Sequence, residues 1–227
     1  MKVLVLGSSH VVAVDSALRE KPDAAFTVHN LNSQTPELIR DPTARSALAA
    51  QFAPIDALCL CLGGNLHNIL SLLNDPQPFH LAPAEFHGQL VPKDMMAEHI
   101  AAKLANLATL ARDLMQVLPA QKTFILNPPP PGGDAAHIRK HPGVFAAKIE
   151  SGVSPDALRL QTYRLQTQIY QDHAREIGGV FLPNPAAAVD SRGFLAEDFR
   201  AADPTHANAA YGHLILDILR TAIKDMT

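Results

Sequence analysis

Three short segments of this sequence carry the residue types needed for acyl transfer. Gly7-Ser8-Ser9-His10 presents hydroxyl groups immediately after an apolar run. Asp203-Pro204-Thr205-His206 sets a carboxylate three residues before an imidazole. Gly63-Gly64-Asn65 brings a side-chain amide behind two glycines. In combination, Ser9 would be the nucleophile, and His206 the general base that takes its proton and later protonates a leaving alcohol. Asp203 would reach the other imidazole nitrogen, fix its tautomer and stabilise the imidazolium. Asn65 would donate an amide N–H to the oxyanion beside the backbone N–H of Ser9, and Gly64 lets a carbonyl approach closely. Each segment alone also has a plainer reading. Ser8 or Ser9 can cap a helix, and Asp203-Pro204 can open a turn. The chemical reading rests on the three segments meeting at one place.

The elements between them make that meeting possible. Strand-like runs at Lys2–Leu6, Ala25–Leu31, Asp56–Leu62, Lys122–Leu126 and Val180–Leu182 alternate with helical patterns. The third run is apolar on both faces, which suits the centre of a parallel sheet. Helices are expected at Val11–Glu20, Pro36–Phe52 with a break near Asp41-Pro42, Lys93–Leu118, Pro155–Ile177 and Ala207–Met226. Met96, Ile100, Leu104, Leu107, Leu110, Leu114 and Val117 draw one stripe along the longest of these. Leu158, Leu165 and Ile169 are expected to face inward from the next, and Tyr163 and Tyr170 read as part of a packing stripe. Leu66–Pro92 is rich in proline and reads as loops with short helical pieces. Pro128–Pro131 favours a stiff polyproline segment. About five parallel strands with helices on both faces predict a three-layer α/β/α sandwich. Ligands of such sheets sit beyond the carboxyl ends of the strands, where all three segments fall. No composition shift marks a boundary, so residues 1–227 read as one domain.

With these motifs in place, the sequence resembles the SGNH (GDSL-type) hydrolases, esterases and lipases on a flavodoxin-like α/β/α fold. Gly7-Ser8-Ser9-His10 stands where that family has Gly-Asp-Ser-Leu, which places the family nucleophile on Ser9. Gly63-Gly64-Asn65-Leu66 stands for Gly-x-Asn-Asp, with Asn65 as oxyanion donor. Asp203-Pro204-Thr205-His206 matches Asp-x-x-His, and Tyr211-Gly212 after it is also typical. Two family aspartates are replaced, by Ser8 and Leu66. The glycine whose backbone N–H completes the family's oxyanion hole falls near Gln34, and a positive φ would not suit glutamine. The resemblance implies a cofactor-free carboxylic ester hydrolase acting on a small acyl ester, such as a carbohydrate O-acetyl group. Transfer of the acyl group to a sugar hydroxyl, or ligand binding without catalysis, are the alternatives.

Composition narrows the classes further. With 47% hydrophobic and 18% charged residues, the 227-residue chain can bury a large core. A net charge of −3 and no basic block argue against nucleic acid as a partner. No apolar run is long enough for a bilayer, and the N-terminus lacks a signal-peptide pattern, so a cytoplasmic protein is expected. Cys59 and Cys61 share a strand face and read as buried free thiols. Among 11 histidines, His137-x-x-x-His141 has metal-ligand spacing, but Pro142 follows it and no glutamate is suitably placed, so no metal is expected. His67 is read as a pocket residue or as a hydrogen-bonded neighbour of the site, and His10 as shaping the pocket or capping a helix. The sequence lacks the second and third glycines of a dinucleotide-binding turn.

Overall fold

A computed structural model describes residues 1–81 and 88–224. Its elements run β1 (Val3–Gly7), α1 (Val11–Glu20), β2 (Phe26–Asn30), α2 (Thr35–Arg40), α3 (Pro42–Phe52), β3 (Ala57–Cys61) and α4 (Leu66–Ser71). They continue with the two-residue strands β4 (Phe79–His80) and β5 (Gln89–Leu90), then α5 (Lys93–Val117), β6 (Lys122–Leu126), α6 (Ala135–Lys140), α7 (Asp156–Glu176), β7 (Val180–Leu182) and α8 (Ala209–Lys224). Five strands form one parallel sheet in the order β2-β1-β3-β6-β7. This is the flavodoxin-like order, and the chain reverses direction across the sheet between β1 and β3. The expected α/β sandwich is the one observed.

Every residue of β1 and β3 is buried, as their apolar faces on both sides require. Val3, Val5, Cys59, Cys61 and Phe124 face one layer, built from α1 and α8. Leu4, Leu6, Leu58, Leu60 and Ile125 face the other, built from α2, α3, α5 and α7. Both cysteines are free, and burial pushes the Cys61 thiol up to about 12. The expected break at Asp41-Pro42 separates α2 from α3, because proline begins a helix readily but cannot continue one. Asp41 caps the second helix by accepting the N–H of Thr43 at 2.7 Å.

Two expectations need correction. Leu66–Pro92 has the expected short helical piece in α4, but it also holds the paired strands β4 and β5, while its residues 82–87, with His87, lie outside the described residues. Residues 225–227, at the end of the expected last helix, lie outside them too. The inward face of α7 is polar as well as apolar. Arg159, Thr162, Tyr163, Gln166 and Tyr170 are buried, whereas Leu165 and Ile169 are only partly so. The reason lies in what that face meets, the loops that follow β3 and β6, whose carbonyls need donors. Tyr163 Oη donates to Pro128 O at 3.2 Å, Gln166 Nε2 to Gly64 O at 3.1 Å, Tyr170 Oη to Leu62 O, and Arg159 to Gly132 O. Pro128–Pro131 is wholly buried, which costs no unpaired N–H because prolines have none.

Candidate active site

The switch point between β1 and β3 is where the sequence places its polar groups. β1 ends at Gly7, and Ser8 N–H donates to Cys61 O at 3.0 Å, tying the start of this loop to the end of β3. The carbonyls of Ser8 and Ser9 accept the N–H groups of Val11 and Val12, both at 3.1 Å. The N-cap position of α1 falls on His10, with no side-chain bond, so neither serine hydroxyl is used as a cap. The Ser9 N–H donates to no protein acceptor among the described residues.

Ser9 Oγ stands 2.7 Å from His206 Nε2. His206 Nδ1 stands 3.0 and 3.1 Å from the two carboxylate oxygens of Asp203. An ionised carboxylate only accepts, so Nδ1 carries the proton and Nε2 is left to accept from the Ser9 hydroxyl. Asp203 is itself held by its own turn. Its Oδ1 accepts the N–H groups of Thr205 and His206, each at 2.8 Å. Burial pushes the Asp203 carboxyl up, but the bond from His206, the N–H of Thr205 and the charge of His206 outweigh it. The net effect holds it well below the usual carboxylate range. The structure thus brings Ser9, His206 and Asp203 into one hydrogen-bonded chain.

Asn65 begins α4 on the other side of the switch point. Its Oδ1 accepts from Asn68 Nδ2 at 2.8 Å, and its Nδ2 points to Thr205 Oγ1 at 3.4 Å. Asn68 therefore sets which end of the amide is the donor, and that donor faces the loop of Asp203 and His206. Gln166 clamps the segment that carries Asn65, accepting from His67 N–H at 2.7 Å while donating to Gly64 O. These orienting residues were not singled out by sequence reasoning. The three-residue spacing of Asn65 and Asn68 on a helix is a signal that could have found one of them. Gln166 has no local signature, since its partners lie 99 and 102 residues away.

The backbone N–H of Gln34, expected as an oxyanion donor, is already bonded within the protein. Gln34 donates it to Leu31 O at 2.9 Å as α2 begins, and its Oε1 faces His29 Nε2 at 3.3 Å. Its φ of −96° is helical, so no glycine-like geometry is required there. His67 is fully buried, with Nδ1 3.3 Å from Gln166 Oε1, and burial pulls its pKa down to about 4. His137 Nε2 lies 3.1 Å from Ala201 O and 3.2 Å from Asp203 O, so it braces the loop before His206. No group of three metal-ligating side chains occurs among the described residues.

No family model matches the sequence, and no curated protein matches it. Solved structures do match the fold. A Streptococcus pneumonia protein described by reference to platelet activating factor shares 17% identity at a TM-score of 0.60, over 97% of this chain and 83% of that one. A GDSL-like lipase from Bacteroides thetaiotaomicron shares 12% at 0.52, over 100% and 89%. An extracellular lipase from Streptomyces rimosus shares 13% at 0.53, over 98% and 99%. No helix among the described residues is long and apolar enough to cross a membrane. Strand order, layer arrangement and these likenesses agree: the chain has the fold of the SGNH (GDSL-type) hydrolases.

Proposed function

We propose that this protein hydrolyses small acyl esters through an acyl-enzyme on Ser9. The observation that carries the reading is the hydrogen-bonded chain from Ser9 Oγ through His206 to Asp203, with its 2.7 Å first link. His206 takes the Ser9 proton as Oγ attacks the ester carbonyl, and Asp203 stabilises the imidazolium that forms. The oxyanion accepts the Ser9 N–H and the Asn65 amide N–H, two donors rather than three. His206 then protonates the departing alcohol, and water, activated by the same imidazole, releases the acid. No step needs a metal or cofactor. Fold neighbours described as lipases support ester hydrolysis as the reaction class. A carbohydrate O-acetyl group is the substrate we favour, on the resemblance of the three motifs.

The test is hydrolysis of p-nitrophenyl acetate by the wild type and Ser9→Ala, with a fluorophosphonate probe and peptide mapping of the adduct. Loss of the activity with Ser9→Ala, and labelling of Ser9 alone, are expected. Equal rates in the two proteins, or a wild type that the probe never labels, would sink the reading. Turnover that rises steeply with an added sugar and is slight without it would assign acyl transfer instead.

A further inference from the structure

The ring of His10 packs directly against that of His206, with centroids 4.9 Å apart and planes inclined at 48°. His10 is only 6% exposed, and neither ring nitrogen has a partner among the described residues. It also fills the space that Gly64 leaves by having no side chain. A Cβ on Gly64 would overlap His10 Cδ2 and stand 2.9 Å from Nε2. One ring therefore touches both the general base and the backbone of the loop that carries Asn65. Among the described residues, the titratable groups facing it are His206, His67 and Asp203. Burial, helped by the two neighbouring imidazoles, pulls its pKa down to about 3, so it stays uncharged beside His206.

Fold stability does not account for a histidine here. A buried imidazole without partners is destabilising, and a leucine of similar size would fill the space without that penalty. We propose that His10 is a positioning residue, a flat uncharged ring that holds the His206 imidazole at its working angle between Ser9 and Asp203 and couples it to the Asn65 loop. When His206 takes the Ser9 proton, the neighbouring ring offers aromatic contact to the imidazolium without competing for that proton. The inference rests on the esterase reading for its kinetic consequence, but its geometric consequence is separate from it.

The experiment compares the full-length wild type with His10→Leu and His10→Phe. His10→Leu should keep or raise Tm, by about 2–4 °C if the orphaned imidazole is removed cleanly. Its kcat on p-nitrophenyl acetate should fall about tenfold while KM stays within about twofold. The low-field proton resonance of the His206 Nδ1–H bonded to Asp203 should shift or broaden. His10→Phe restores a ring and should recover kcat to within about threefold of wild type, with the resonance back in place. Should His10→Leu fail to fold, His10→Met, unbranched and adaptable, serves as the aliphatic variant. Wild-type kcat and an unmoved resonance in the aliphatic variant would overturn the proposal. So would a fall in Tm and kcat together with the resonance unmoved, which is what a packing role alone produces. If the wild type shows no hydrolysis, the esterase reading fails, and the resonance alone decides whether His10 positions His206.

Discussion

Gly212 rests its bare Cα against the carbonyl of Ala13. A Cβ at Gly212 would overlap the Ala13 carbonyl oxygen, and would stand 3.0 Å from the Ala17 methyl. It is a close backbone approach within the α1–α8 pair, which also buries Val11, Val14, Ile215 and Leu219. Ser9 lies just before α1 and His206 just before α8, so the docking of these helices bears on the distance between the two side chains. Gly212→Ala should lower stability by about 1–3 kcal/mol, because overpacking against backbone cannot relax by a rotamer change. It should also lower kcat more than it raises KM, since a displacement near 1 Å at a reacting pair costs about 10²-fold. Thermal unfolding and steady-state kinetics on the same preparation check both. Unchanged kcat in a destabilised variant would separate helix packing from the alignment of the two side chains.

Asp203→Asn is expected to keep the fold and lose the rate. An asparagine Oδ1 can still accept the N–H groups of Thr205 and His206, now accepted by Asp203 Oδ1 at 2.8 Å each. Its amide, however, presents a donor to His206 Nδ1. The imidazole then carries its proton on Nε2 and no longer accepts from Ser9. A fall in kcat on the order of 10²–10⁴, with Tm within about 2 °C of wild type, is expected.

The amide of Asn65 gives a graded series. Asn65→Ala removes the proposed side-chain oxyanion donor and should cost on the order of 10²–10³ in kcat. Asn68→Ala leaves that donor in place but frees it to rotate, and the loss should be smaller, about tenfold. Gln166→Ala orphans two buried backbone groups, the Gly64 carbonyl and the His67 N–H, and should cost about 1–3 kcal/mol of stability as well as rate. Kinetics and denaturant unfolding of the three variants order them. An Asn68→Ala loss equal to that of Asn65→Ala would mean that orientation, and not the presence of the donor, limits the rate.

Acid should destabilise the protein well before its carboxylates are protonated. The unfolded chain takes protons on His10 and His67 as the pH drops below their ordinary value of 6.5. The folded protein resists until about 4 for His67 and about 3 for His10. The unfolded state thus binds more protons throughout that window. Stability is fully present above about pH 6.5 and falls as the pH drops, by up to about 1.4 kcal/mol per pH unit for each histidine. Asp203, whose pKa is depressed, adds its own loss only below 3.8. Unfolding free energies between pH 7.5 and 4.5 test this, and His10→Leu should flatten the slope by about half. A slope identical to wild type would remove His10 from the account.

How much of this is legible in the sequence depends on whether the signal is local. β3 announces its central place because Ala57–Cys61 is apolar on both faces, and α5 shows its buried stripe from Met96 to Leu114 by spacing alone. Ser9, Asp203, His206 and Asn65 stand out because each sits in a short motif at the end of an element. Leu165 and Ile169 mislead, because helical periodicity shows apolar faces only, whereas α7 buries Arg159 and Gln166 to satisfy carbonyls more than 25 residues away in the chain. Gln34 stands at the slot of the family's oxyanion glycine, but position along the chain does not show that its N–H is taken up as α2 begins. The packing of His10 on His206 joins elements from opposite ends of the sequence, and nothing near either residue signals it.

The bond between Ser9 and His206 spans 197 residues of chain. No local refolding event can bring them together. On the proposed reading, no fragment holding only one of them would be active, and activity would be a late reporter of assembly. After dilution from denaturant, far-ultraviolet circular dichroism should recover as the helices form, whereas activity should return only in the phase that docks α8 on α1. The delay between the two signals measures how long the molecule exists as a near-complete sheet with Ser9 still apart from His206.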